Sequence, residues 1–419
     1  MHAIVSCMYH FLQRKHPYSP RITYVGKANW RNANAVFGIR QSDRFFHQYV
    51  LGQTGTGKTT LLRNMILQDI YANNGLCLID PHGDLVERVF QAIPSYRQKD
   101  VVYFNVTHPK MRMRFNPLLH VASEQRPLVA SALLEILKKL WESAWGLRLE
   151  HILRYIILTL LDQPKATLAN IIDIIHNAEF RENCIANLKN KYLITFWKNE
   201  FPRYSKNDML PILNKVGAFV LHPALSRALI TNPHDIDIRE IMDSRKILLV
   251  NISKGIIGED VSHIVGSVFV TAIASAAFGR VDIPEAQRQP FFVYLDEFQN
   301  FTNLSLVTML SELRKFKIGM TLAHQYLQQL EEAIRFAILG NVGTLITFRV
   351  GTEDAPFLEK MMYPKFEVDD FINLPNYFIY LKLMIDGKPS KPFSANTLSP
   401  SELKPILHTF IHKHPSLLK

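Results

Sequence analysis

Cysteine is scarce: Cys7, Cys77 and Cys184 are the only three in 419 residues. Three cannot all pair, and their spacing suggests neither a disulfide framework nor a zinc site. A reducing, cytoplasmic setting is therefore expected. Long apolar runs are also missing. The longest near the start, Met1 to Leu12, is interrupted by His2, Ser6 and His10. It is too short to cross a bilayer and carries no signal-peptide cleavage pattern. No membrane span is expected in this chain, so a place at the inner face of the cell membrane would need partners or an anchor missing from it. Internal repeats and low-complexity tracts are absent, which excludes solenoids and disordered arrays. No nuclease signature appears, so any nuclease would be a separate partner.

Hydrophobic residues make up 47% of the chain and charged residues 20%, as in a soluble globular protein. The length exceeds what one compact core usually uses, so a core plus an insertion or a second domain is expected. The net charge is +11 and unevenly spread. Arg14, Lys15, Arg21, Lys27, Arg31, Arg40 and Arg44 face a single acid, Asp43, among the first fifty residues. Such a basic arm can face nucleic acid or an anionic membrane, or be a solvated surface.

Residues 1–46 read as a basic segment with short strands broken by Gly26, Asn32, Asn34 and Gly38. The apolar strand Gln48–Leu51 then runs into a glycine-rich turn and a helix ending near Tyr71. Strand Leu76–Asp80, helix Asp84–Ile93 and strand Val101–Val106 follow. This alternation predicts a parallel sheet with crossover helices, here the first part of the core, residues 47–122. From 123 to 236 the period is helical, with Leu133, Leu134, Leu137 and Leu140 on one face, which predicts an all-α insertion. Alternation resumes over 237–398 with strands Lys246–Ser253, Phe291–Asp296, Ile318–Ala323 and Thr344–Val350. Between them lie helices 260–278, 304–316 and 326–337. Near the end, Asp386-Gly387 marks a β-hairpin between Tyr377–Ile385 and Pro389–Thr397. Residues 399–419 form a tail with a short helix. The fold class is thus α/β: a mainly parallel central sheet, a C-terminal β-hairpin and an all-α insertion domain.

Gly52-Gln53-Thr54-Gly55-Thr56-Gly57-Lys58-Thr59 satisfies G-x-x-x-x-G-K-[ST] at every fixed position, and Thr60 follows. The glycines let successive N–H groups point at phosphate oxygens, and the helix behind adds its positive end. Lys58 is expected to reach the β- and γ-phosphates of ATP, and the Thr59 hydroxyl to hold Mg²⁺. The match lies between a strand and a helix, as this chemistry requires.

Such a site also needs an acid near the metal and a group that activates water. Phe291-Phe292-Val293-Tyr294-Leu295-Asp296-Glu297 supplies both at the end of an apolar strand, where parallel sheets gather catalysts. Asp296 is assigned to Mg²⁺ and Glu297 to the general base, which favours hydrolysis over a kinase or a GTPase switch.

Gln325 ends the next strand and reads either as a γ-phosphate sensor or as the cap of the following helix. Arg314 either acts as an arginine finger on a neighbour's ATP or complements a helix dipole. Arg349 is a second finger candidate. Asp80-Pro81-His82-Gly83-Asp84 either lines the site or lets Asp84 cap a helix. Lys254-Gly255-Ile256-Ile257-Gly258 is a basic loop, facing a channel or merely solvent.

The ordered set His47–Gly52, Asp80–Asp84, Asn251–Gly255, Leu295–Phe298 and Ala323–Tyr326 resembles the HerA/FtsK superfamily of RecA-like P-loop ATPases. The similarity is greatest to the conjugative coupling proteins of type IV secretion, the TraG/TraD group, and covers roughly residues 36–398 outside the insertion. It implies a homo-hexameric ring with ATP between subunits and DNA in a central channel. It also implies an insertion that meets DNA or relaxosome proteins. Arg314 falls where the family has its trans-acting arginine and Gln325 where it has its sensor. Coupling proteins usually begin with membrane-spanning helices, and this chain departs from that pattern. A DNA-translocating motor of conjugation is the expectation. The alternatives are a HerA-like ATPase partnering a nuclease or effector, a secretion-channel assembly ATPase that does not touch DNA, and a viral genome-packaging motor.

Overall fold

The structure, a computed structural model, describes residues 18–29, 34–108, 113–141, 145–230, 236–301 and 304–413. An eleven-stranded sheet in the order β2-β1-β13-β10-β9-β3-β8-β7-β4-β6-β5 forms its centre. The strands are β1 (Ile22–Ala28), β2 (Ala35–Arg40), β3 (Gln48–Leu51), β4 (Gly75–Asp80), β5 (Val101–Asn105), β6 (Ile247–Asn251), β7 (Phe291–Leu295), β8 (Ile318–His324), β9 (Thr344–Thr347), β10 (Phe378–Lys382) and β13 (Phe393–Thr397). From β9 to β5 all pairings are parallel; from β2 to the β10–β9 pair they are antiparallel. Short strands β11 (Met384–Ile385) and β12 (Lys388–Pro389) close the C-terminal hairpin. Both turn residues, Asp386 and Gly387, have positive φ, as a two-residue hairpin turn demands.

Apolar runs make the parallel strands because both faces are buried. On β4, Cys77 and Ile79 enter one core, while Leu76 and Leu78 enter the other. Helices α1 (Lys58–Tyr71) and α2 (Asp84–Phe90) cover the second core, together with the C-terminal helix. Between β5 and β6 come α3 (Arg126–Leu140), α4 (Leu147–Leu161), α5 (Lys206–Leu221) and shorter helices, with no strand among the described residues. Their apolar faces share the first core with the sheet. The link is α3, which packs along α6 (Glu259–Phe278). With its continuation to Asp282, α6 is the one described helix long and apolar enough to cross a bilayer. Most of it is buried inside the protein.

Helices α7 (Leu304–Glu312), α8 (Glu332–Asn341), α9 (Ala355–Met362) and α10 (Pro400–Lys413) complete the set used below. Two helix expectations shift. The 304–316 helix ends at Glu312 and tightens into a 3₁₀ turn over Leu313–Phe316. The expected helix 326–337 starts only at Glu332. Gln329 accepts from the N–H groups of Gln325 and Tyr326, and Asp354 accepts from that of Leu327. These side chains hold the intervening residues as a turn.

The basic arm is also less open than its composition suggests. Arg14, Lys15 and Arg31 lie outside the described residues. Lys27 pairs with Glu402, Arg40 with Asp386, and Arg44 is buried against Asp69. Acids distant in sequence answer these three charges, which a local count cannot register.

Candidate active site

Strand order sets the site. β8 lies between β3 and β7, so the residue after β8 sits between the phosphate loop and the acids after β7. All three segments leave the same, carboxyl, edge of the sheet.

The loop is held from several sides. Gln53 N donates to Arg349 O at 2.9 Å, Thr56 Oγ1 to Gln53 O at 2.7 Å, and Tyr377 N to Thr56 O at 2.8 Å. Gly57 has φ +120°, and a Cβ there would meet the Tyr377 ring at 2.9 Å and Phe348 at 3.1 Å. Glycine is needed there for both reasons. A Cβ on Gly55 would meet nothing within 4 Å, so there it is the φ of +79° that calls for glycine. Lys58 is buried and donates to the carbonyls of Gly52 and Gln53. Burial lowers its pKa, partly offset by Glu297 and Asp296.

Asp296 is buried, and its N–H donates to Ile79 O at 3.2 Å. Burial, then the charges of Asp80 and Glu297, push its carboxyl up to about 7 against the opposing pull of Lys58. A carboxylate so burdened suits a cation, and Thr59, next to Lys58 at the start of α1, carries a hydroxyl that can serve as a second oxygen donor. One carboxylate plus phosphates is how Mg²⁺ is usually held, so this donor set fits it.

Glu297 has φ +46°. Gln325 Nε2 donates to its Oε1 at 3.0 Å and Gln299 Nε2 to its Oε2 at 2.9 Å. Asn300 Nδ2 ties down its backbone carbonyl at 2.7 Å. Gln325 therefore points at Glu297 and caps no helix. Behind it, His324 bonds Tyr49 one strand away, and burial lowers the histidine to about 3, so this imidazole stays neutral.

The remaining candidates separate. Arg349 lies beside its own chain's loop, its guanidinium reaching Leu374 O at 3.3 Å and Gln53 Oε1 at 3.5 Å. Arg314 is exposed just before β8, at the amino edge, with its guanidinium 3.6 Å from the centre of the Phe46 ring. Seven strand residues, about 23 Å, part it from the site. At Asp80–Asp84 it is Asp80 that caps: its carboxylate accepts from His82, Leu85 and Val86 N–H groups. Asp84 is exposed. Lys254 N and Ser253 Oγ bond the carbonyls of Pro81 and His82, so the Lys254 loop is anchored to that turn, with Ile256 71% exposed. Asp80 belongs to the segment read from sequence as lining the site, whereas Tyr377 was not singled out. Asp80 was readable as an acid at a strand end, whereas the positive φ of Tyr377 (69°) leaves no mark in sequence.

A family model described as the central domain of the HerA helicase matches residues 45–273. One described as the TraM recognition site of TraD and TraG matches residues 290–361. No curated protein matches the chain. Among solved structures, the plasmid coupling protein TrwB with a non-hydrolysable ATP analogue has a TM-score of 0.64 at 14% identity, covering 94% of this chain and 92% of that one. TrwB with ADP and Mg²⁺ gives 0.63 at 13%, with the same coverage. VirB4 of Thermoanaerobacter pseudethanolicus gives 0.64 at 13%, covering 91% and 97%. At such identities these likenesses speak for the fold. The coarse activity, a P-loop nucleoside triphosphatase, comes from the site and the family models together. Since the first model spans more than half of its length, the chain belongs to the HerA helicase central-domain family.

Proposed function

We propose that this chain is the ATP-hydrolysing, DNA-translocating subunit of a hexameric ring that couples DNA to a type IV secretion or conjugation channel. One observation carries the reading: the catalytic set is divided between the two edges of the sheet. Lys58, Asp296, Glu297 and Gln325 converge at the carboxyl edge. Arg314 stands at the amino edge, too far to serve its own chain's nucleotide. A ring sets the amino edge of one copy against the carboxyl edge of the next, and so completes the site.

In this reading Lys58 exchanges the loop carbonyls for the β- and γ-phosphates. Thr59 and Asp296 hold Mg²⁺, which when bound supplies charge neutralisation on the phosphates. Glu297 takes the proton of the attacking water, held in position by Gln325 and Gln299. Gln325 senses loss of the γ-phosphate, and Arg314 of the neighbouring copy stabilises transition-state charge. The match to the TraM recognition site of TraD and TraG, and the fold shared with a plasmid coupling protein, support a conjugative setting with relaxosome or channel partners. A second reading, a secretion-channel ATPase that moves protein and not DNA, is favoured by the internal pairing of Lys27, Arg40 and Arg44.

ATP turnover measured with and without single- and double-stranded DNA across a salt series separates the two. Several-fold stimulation that fades as salt rises is expected, because phosphate contacts release counterions. A rate indifferent to either DNA form at low salt removes the translocase reading. The ring has its own test. Arg314→Ala and Lys58→Ala are each expected to lower turnover by about 10³. Mixed together they should regain activity, since an Arg314→Ala copy keeps Lys58 and its Lys58→Ala neighbour keeps Arg314. A mixture as inactive as its parts excludes a trans role.

A further inference from the structure

One residue past Thr59, the protein opens into a cleft of about 340 Å³ that the phosphate chemistry leaves unused. Thr60 and Arg63 of α1 form one wall, Arg88, Gln91 and Ala92 of α2 and its end form another, and Pro400 closes the third. Asn64 Nδ2 donates to Leu398 O at 2.7 Å, which docks the start of α10 on α1 beside the cleft. No acid lines it. Among the described residues, Arg63 and Arg88 have no ion-pair or hydrogen-bond partner. The buried arginines Arg44, Arg97 and Arg280 are all paired with aspartates. Two free guanidinium groups on one cleft repel each other, a cost that a ligand accepting from both would remove.

We propose that this cleft takes the base and ribose of a purine nucleotide, with Arg63 and Arg88 as residues that determine base specificity. The proposal rests on the reading of the phosphate loop above. Phosphates seated on Gly52–Thr59 direct the nucleoside along the start of α1, where Thr60 lies in the first turn and Arg63 follows it. The volume suits a nucleoside. The lining has no aromatic ring, so stacking on the base falls to the guanidinium planes, which also donate to purine N7. Gln91 both donates and accepts, so it tolerates a 6-amino or a 6-oxo group. ATP and GTP are therefore both accepted, and a pyrimidine nucleotide, lacking N7, binds less well.

The test is equilibrium binding of Mg-ATP, Mg-GTP, Mg-CTP and inorganic tripolyphosphate to the full chain and its variants. ATP and GTP are expected to bind alike and CTP more weakly. Arg63→Ala and Arg88→Ala should each weaken ATP about tenfold, as for loss of a charged hydrogen bond, and leave tripolyphosphate unchanged. The tripolyphosphate control also reports that each variant is folded. Lys58→Ala should weaken every ligand. If the arginine variants bind ATP as the parent does while Lys58→Ala does not, the cleft proposal fails and the phosphate-loop reading stands. Tripolyphosphate bound as tightly as ATP by the parent also overturns the proposal. If Lys58→Ala changes nothing, both fall together.

Discussion

Glu297→Gln is expected to slow ATP turnover by about three orders of magnitude while ATP affinity stays within about twofold. The geometry explains the selectivity. Glu297 meets no phosphate-binding group directly; its carboxylate oxygens accept from Gln325 and Gln299. A glutamine keeps the size and one acceptor, so the loop keeps its shape, and Lys58 still has the charge of Asp296 to support its own. What it loses is the ability to take a proton from water. It also removes one negative charge from a cluster that already holds Asp296 at about 7, so folding should not suffer. Turnover and the affinity of a fluorescent ATP analogue, measured on the same preparation, check both halves. Hydrolysis surviving at more than a tenth of the parent rate would remove Glu297 as general base. Gln325→Ala should be milder, since it deletes one of the two donors that position the carboxylate and leaves the base itself intact.

Much of the fold was legible because its signals are local. β3 is a buried tetrapeptide whose last three residues, Tyr49–Leu51, are hydrophobic and which the glycine loop follows at once, and β7 is a five-residue apolar run followed by two acids. Both patterns follow from burial on two faces and from chemistry at strand ends. The pairing of β1 with β13 joins residues almost the whole chain apart, Gly26 to Thr397, and no local pattern announces it. The same limit applies to the site. Lys58, Asp296, Glu297 and Gln325 follow motifs at strand ends, and the structure brings them together. The place of Arg314 at the opposite edge follows from its position before β8, which sequence also gave. The cleft at Arg63 and Arg88 did not show, because a free arginine and a paired one look the same in a sequence. Arg44 makes the point from the other side: counted as part of a basic arm, it is a core residue.

Asp69→Ala is expected to cost about 3–5 kcal/mol of stability and lower Tm by roughly 10 °C. Arg44 and Asp69 are each about 1% exposed and form a two-pronged pair, Nη1 to Oδ1 at 2.6 Å and Nη2 to Oδ2 at 2.8 Å. Thr23 Oγ1 and Tyr294 OH accept from the same guanidinium at 2.8 and 2.7 Å, and its carbon lies 3.5 Å from the centre of the Phe292 ring. Burial pulls the Arg44 pKa down, yet Asp69 and Tyr294 hold it above the ordinary arginine value. Removing Asp69 strands that charge in the core with only neutral partners, and this explains the size of the loss. Arg44→Met combined with Asp69→Leu should recover most of it, because apolar groups of similar volume carry no desolvation cost. The network also reaches the chemistry. Arg44 precedes β3, Asp69 lies on the helix of the phosphate loop, and Tyr294 is two residues before Asp296. The double variant separates the roles: regained Tm with reduced turnover means the network positions the site, and regained Tm with full turnover means it only holds the fold. Urea or thermal unfolding of the two variants decides the first point, and an Asp69→Ala loss below about 1 kcal/mol would show the pair to be no stronger than a surface one.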